Sequence, residues 1–321
     1  MSRWTVGKRA FVTGAGGQDG SYLCELLLSL SEYDQVVGMI RPSGDGRKDR
    51  LARCIVNPRF TLVYGDITDA TFGSKLANAS YDEIYLLAAQ TQVMQSYYAP
   101  TVAFETNALA TARILDAISP ITRVYFAATS EMFGTIPEGQ SATESFPLAG
   151  QSPYAAAKVA SHLLCRVYRE RGYYVSSGIS FNHESCRRGS EFVTRKIGLG
   201  VRQFLRTGKP VVLGNVDSRR DWHHASDTVR GMWMSLQADK PSEYVFATGT
   251  THSVMDLAIE VCGRFDVVPS SAIKVADSEK RPWDVTYLCG DAIKAEIELG
   301  WTPHVTWSQL VDDICKPEGE L

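Results

Sequence analysis

The sequence has no cysteines spaced as C-x-x-C. Its seven, at positions 24, 54, 165, 186, 262, 289 and 315, are scattered and odd in number. This argues against a disulfide framework or a zinc ribbon and for reduced thiols, so no metal site is expected. There is no apolar run of membrane-span length, and MSRWTVGKRAFVTG lacks the apolar core of a signal peptide. A cytoplasmic protein without a membrane partner is the expectation. There is no surplus of positive charge: 33 basic residues stand against 36 acidic ones, for a net charge of -3. Nothing therefore draws the whole chain to nucleic acid, and any phosphate binding must come from local clusters. Internal repeats and long linkers are also missing. What remains is an ordinary globular composition, 44% hydrophobic and 21% charged over 321 residues, enough for one or two domains with a sizeable core.

Along the chain, short apolar runs alternate with stretches of helical period. KRAFVTG, QVVGMI, FTLVYGD, EIYLLAA, RVYFAAT and YYVSSGIS read as strands. SYLCELLLSL, DATFGSKLA, TVAFETNALATARILDAI and SPYAAAKVASHLLCRVYRERG read as the helices between them. This predicts an α/β fold, a Rossmann-type doubly wound parallel sheet. After YYVSSGIS the alternation gives way to polar, arginine-rich connections. A smaller C-terminal substrate-binding domain is expected there, at roughly 182–216 and 249–321, with 1–181 and roughly 217–248 forming the cofactor domain.

Residues 13–20, TGAGGQDG, place Gly14, Gly17 and Gly20 between a strand and a helix. Glycines there allow a tight turn and a close approach of backbone to a pyrophosphate, whose charge meets the positive end of the helix. An NAD site usually has an acidic residue after the second strand. Here Arg41 follows it, with Arg47, Lys48 and Arg50 close behind. That favours NADP, although a solvated basic loop has the same composition. Asp66 is a candidate partner for the adenine edge, and AAQ at 88–90 would pass beneath the cofactor.

In SPYAAAK, Ser152 and Pro153 suit a helix cap and first position. Tyr154 and Lys158, four residues apart, share one helix face. A phenol that acts as a base near neutral pH needs positive charge beside it, which Lys158 and an oxidised nicotinamide would supply. A chance surface pair has the same spacing. The dinucleotide turn and Thr129 at a strand end make the set a dehydrogenase constellation, with Thr129 holding the oxygen that Tyr154 deprotonates.

TGAGGQDGSYL, TSEMFG, SPYAAAK, FNHESCRRGSEFVTRKI, LGNVDSRRDW and KRPWDV together resemble the GDP-mannose 4,6-dehydratases, within the extended short-chain dehydrogenase/reductases. The resemblance runs from about residue 8 to WTPHVTWSQLV. It implies a hydro-lyase that regenerates its NADP in each turnover. Hydride removal at the sugar C4 acidifies the C5 proton, and Glu131 takes that proton and helps the C6 hydroxyl leave, a double role that calls for a carboxyl pKa near the working pH. It further implies Gln18, Asp19, Ile67, Leu87, Ala89, His183 and Arg188 as cofactor contacts. Ser96, Ser130, Asn182, Lys196, Arg220, Arg281 and Asp284 are implied as substrate contacts. Arginine suits a sugar diphosphate because its fork grips phosphate oxygens in pairs, but some of these arginines could pair with Glu184 or Asp221 instead. The chain departs from the family pattern at Arg41-Pro42, Ala128, Asp284 and Cys186. Cys186 stands where a proline is common, which implies a looser loop. GDP-mannose is the implied partner and a homo-oligomer, dimer or tetramer, the implied assembly. Alternatives are a dehydratase for another GDP-sugar, an NADPH-dependent reductase of a 4-keto-6-deoxy sugar nucleotide, or a catalytically idle NADP-binding module.

Overall fold

The computed structural model describes residues 7–42, 48–279, 283–317 and 319. Six strands in chain order, β1 (Lys8–Thr13), β2 (Tyr33–Ile40), β3 (Phe60–Tyr64), β4 (Glu83–Leu86), β5 (Arg123–Thr129) and β6 (Val175–Ser180), form a parallel sheet. The chain then leaves for β7 (Asn182–Glu184), β8 (Val211–Leu213) and β9 (Arg219–His224), and returns as β10 (Glu243–Phe246) to complete a seven-stranded sheet. Its order is β10-β6-β5-β4-β1-β2-β3. The order reverses between β1 and β4, so the carboxyl ends of those strands open a crevice, the usual place for a dinucleotide. Residues of the inner strands are mostly buried on both faces, as a helix-covered parallel sheet requires, while the edge strand β3 is not. One apolar cluster, with Phe11, Ile84 and Phe126, fills one face, and another, with Val12, Leu23 and Tyr125, fills the other.

The remaining strands are short. β9 pairs β7, β11 (Thr251–Ser253) and β13 (Tyr287–Leu288), and β12 (Ile273–Val275) pairs β8. This part has a core of its own around Ile197, Val201, Trp222, Leu257 and Leu310. The expected return to the large sheet near residue 217 needs correction: β9 belongs to the small sheet, and the return begins with the helix Ala225–Gln237.

Two expected elements differ for identifiable reasons. The helix read over TVAFETNALATARILDAI is interrupted: α-helix over Pro100–Phe104, a wide π turn over Glu105–Leu109, then α-helix over Ala110–Ala117. Within the wide turn Asn107 bonds the backbone of Gln90 twice, accepting from its N–H at 3.0 Å and donating to its carbonyl at 3.0 Å. Its own carbonyl accepts from the Ser161 hydroxyl at 2.7 Å. The strand read over EIYLLAA ends at Leu86 because the next two N–H groups, of Leu87 and Ala88, donate to the Thr13 hydroxyl at 2.9 and 3.0 Å. A further helix, Val93–Tyr98, was not foreseen.

Candidate active site

The glycine turn begins where β1 stops. Gly14 has φ +69°, and a Cβ there would meet the Ala88 backbone at 2.9 Å. A Cβ on Gly20 would fall 2.3 Å from the Gly14 carbonyl oxygen, so the helix can sit against the turn only because position 20 is bare. The helix starts at Gln18, a turn earlier than its apolar pattern announces, and its N-cap Gly17 offers no side chain to its first N–H groups. An uncapped N-terminus on a twelve-residue helix, beside a bare cradle, fits a pyrophosphate.

Two carboxyl ends of the sheet carry the chemistry. β5 ends at Thr129, whose hydroxyl accepts from the Glu131 N–H at 3.3 Å and so caps the short 3₁₀ turn Ser130–Phe133. Gly134 closes that turn at φ +65°, where a Cβ would strike the Ala149 carbonyl oxygen. Ser130 is buried and Glu131 half-buried. The helix Pro153–Glu170 begins as its sequence predicts, with the Ser152 hydroxyl accepting from the Ala155 N–H at 3.0 Å and Pro153 at the first position.

Tyr154 and Lys158 are both buried on the sheet side of this helix. Burial pushes the Tyr154 phenol up to about 12, and the neighbouring Glu131 charge adds to this, while a hydrogen bond with Thr129 and the Arg188 charge pull the other way. Burial draws Lys158 down to about 8. Its ammonium donates to the Ala127 carbonyl at 2.9 Å and lies over the Phe126 ring. The expectation that Lys158 holds the phenol low is thus outweighed here by burial. Thr129, Glu131 and Tyr154 are nevertheless one electrostatic group, as the sequence reading requires.

Other cofactor candidates fall around the crevice. Leu87 and Ala89 follow β4 at its mouth, and Ile67 lines with Lys158 a small cavity of about 10 Å³. Asp66 is exposed, and one of its oxygens accepts from the Thr68 N–H and hydroxyl. Arg41 is exposed after β2, whereas Arg50 is buried and donates to the Gly16 carbonyl in the turn. Arg47 lies outside the described residues.

Gln18 and Asp19 reach across to β7. The Gln18 amide donates to the His183 carbonyl at 3.0 Å and its oxygen accepts from Ser185 at 2.9 Å. Asp19 meets the His183 imidazole at 2.9 Å. Burial opposes the charges of both, but the pairing prevails: Asp19 falls to about 2 and His183 rises above its ordinary value.

The substrate candidates are more dispersed. Ser96 is buried and spends its hydroxyl on the Val93 carbonyl. Asn182 has a buried side-chain oxygen without a hydrogen-bond partner. Lys196 pairs with Glu279 at 3.0 Å, and Arg188, a cofactor candidate, pairs with Glu184 at 3.3 Å. Arg220 pairs with Asp284 at 3.4 Å rather than with Asp221. Arg281 lies outside the described residues.

Asp221, which sequence reasoning treated only as a rival, instead fixes loops. It accepts from the N–H groups of Thr248, Gly249 and Gly290 and from the Thr248 hydroxyl. The looser loop expected at Cys186 is also corrected: its N–H donates to Asp313 at 2.7 Å, a bond no proline could make.

A family model described as GDP-mannose 4,6 dehydratase matches residues 11–314. A Drosophila melanogaster protein named GDP-mannose 4,6 dehydratase is 40% identical, over 98% of this chain and 87% of its own. An Arabidopsis thaliana GDP-mannose 4,6 dehydratase is 39% identical, over 98% and 90%. Among solved structures, a dTDP-glucose 4,6-dehydratase from Streptomyces venezuelae with NAD bound superposes with a TM-score of 0.86 at 27% identity, covering 95% of both chains. A Thermus thermophilus UDP-glucose 4-epimerase shares the fold, with a TM-score of 0.83 at 23% identity over 96% of this chain and 97% of its own.

Proposed function

Because the chain belongs to the GDP-mannose 4,6-dehydratase family, we propose that it is a hydro-lyase converting GDP-mannose to GDP-4-keto-6-deoxymannose with loss of one water. A nicotinamide dinucleotide is the cofactor, held by the glycine turn at Gly14, Gly17 and Gly20, by Leu87 and Ala89 at the end of β4, and by Lys158. We assign NADP rather than NAD, because Arg41 follows β2 where a carboxylate would repel a 2′-phosphate, and Arg50 lies against the turn. Bound, it supplies the acceptor for the C4 hydride and the donor that returns it at C6. Tyr154 takes the proton of the sugar O4 hydroxyl while Thr129 orients that oxygen. Glu131 then removes the C5 proton, made acidic by the new ketone, and in its protonated form donates to the departing C6 hydroxyl, so that one water leaves.

The observation that carries this reading is the strand end at which Thr129 caps Glu131, with the buried Tyr154 close enough to feel both of them. A ketone reductase needs the hydroxyl and the phenol, but not the carboxylate beside them. Arg220, Lys196 and Asn182 face the sugar diphosphate nucleotide, with Arg220 and Lys196 exchanging their present carboxylates for phosphate. We further propose a homo-oligomer, because Val102 and Leu109 on one helical stretch and Leu163 and Val167 on its neighbour leave large apolar side chains exposed. We also propose a cytoplasmic location, because all seven cysteines are free thiols. No helix among the described residues is long and apolar enough to cross a membrane.

The test is incubation with GDP-mannose and catalytic NADP, followed by mass spectrometry and proton NMR. Loss of one water with a new C6 methyl signal and no net NADPH supports the assignment. Unchanged GDP-mannose with NADP bound contradicts it.

A further inference from the structure

The two ends of the proposed substrate fix where its hexose must lie. The diphosphate belongs near Arg220, and the reacting carbons belong beside Glu131 and Tyr154. Spanning the same interval is an aromatic pair that the mechanism does not use. Tyr97, on the helix Val93–Tyr98, stacks on Trp283 with ring centroids 5.4 Å apart and planes 28° from parallel. Each ring is tied to one end of the interval. The Tyr97 hydroxyl donates at 2.7 Å to the carbonyl of Gln151, next to the cap of the catalytic helix. Glu131 is close enough for its charge to raise the Tyr97 phenol, in addition to burial.

Trp283 immediately precedes Asp284, which pairs with Arg220 and accepts from the Ser218 hydroxyl at 2.9 Å. Despite this stack, Trp283 keeps 65% of its surface exposed. The stack with Tyr97 holds the indole in place while leaving most of its surface available to a ligand. Aromatic faces pack well against apolar C–H surface while remaining indifferent to the hydroxyls at its edge.

We propose that Tyr97 and Trp283 form a roof over the hexosyl ring, with Trp283 as a positioning residue that holds the sugar and shields it from water between hydride removal and hydride return. This rests on the dehydratase reading. The roof adds no bond-making step. It keeps the 4-keto sugar in place until Glu131 has removed the C5 proton and the C6 hydroxyl has left.

The experiment compares the parent, Trp283→Ala and Trp283→Phe by calorimetry with GDP and with GDP-mannose, and by turnover with NADP. We expect Trp283→Ala to bind GDP as the parent does and GDP-mannose about tenfold more weakly. It should also accumulate reduced cofactor with released keto sugar, and Trp283→Phe should restore both binding and coupling. Equal weakening toward GDP and GDP-mannose, or unchanged binding and coupling, overturns the roof. A parent without turnover on GDP-mannose defeats the dehydratase reading instead, and the two failures are distinguishable because binding is measured separately.

Discussion

Lys158 and Thr13 are held by backbone atoms of strand ends, whereas Arg188 and Lys196 are held by carboxylates, and Arg220 is held both by a carboxylate and by the carbonyls of Arg219 and Val285. The first kind of anchor belongs to the sheet and persists as long as the sheet does. The second is a side-chain pair that another anion can replace, and in the exposed Lys196–Glu279 case it is worth little in stability. The large sheet therefore presents side chains that are already fixed, and on the proposed function the small region presents cations whose carboxylate partners give way to phosphate. Catalysis benefits from groups that need no reorganisation, and recognition of a charged nucleotide from cations that are already held in place by partners.

Mutations on the two sides should separate along this line. Tyr154→Phe removes the phenol that takes the O4 proton, and both hydride removal and water loss should fall by about 10²- to 10⁴-fold, read by cofactor absorbance and product NMR. Glu131→Gln should leave hydride removal measurable and cut water loss by about 10²-fold or more; equal dehydration by this variant and the parent would remove Glu131 from the mechanism. On the other side, Arg220→Ala should act mainly on KM for GDP-mannose, by about ten- to a hundredfold, with the loss diminishing as salt rises. A large fall in kcat at unchanged KM would erase the distinction between the regions.

The Asp19–His183 pair joins the two regions and titrates. His183, raised by its partner, contributes stability that is fully present below its unfolded value of 6.5 and is lost as pH rises through its folded value. Asp19, lowered to about 2, contributes stability present above 3.8 and lost as pH falls toward 2. Relative to Asp19→Asn, the parent should be more stable by on the order of 2 kcal/mol between about pH 4 and 6.5, narrowing on both sides. A difference flat from pH 2 to 9 in thermal unfolding would show that the pair is not charged. Smallest of all, Glu279→Gln should shift stability by about 0.5 kcal/mol or less and leave KM unchanged or lower, since it removes only the occupant of the phosphate place.

The parts legible in the sequence were those fixed by local spacing. The bare glycines, the Ser152–Pro153 start and the Tyr154–Lys158 face each lie within one turn or one helix, and the doubly wound parallel sheet follows from the alternation of strand and helix. What was not legible depends on partners far apart in sequence. The wide turn at Asn107 answers to Gln90, the loop at Cys186 to Asp313, the loops at Thr248 and Gly290 to Asp221, and Tyr97 to Trp283. In each case the residue type is ordinary, and only the tertiary approach gives it a role. Arg220 illustrates the middle ground: the sequence marks it as a cation for substrate, but not that Asp284 rather than Asp221 is its partner.

The central claim is that one site removes a hydride and returns it to the same sugar. Its most direct test is turnover of GDP-mannose deuterated at C4 with unlabelled catalytic NADP, followed by NMR of the product methyl group. The account predicts a singly deuterated C6 methyl and no net reduced cofactor. Deuterium retained at C4, or left on cofactor that accumulates in proportion to sugar consumed, would contradict it.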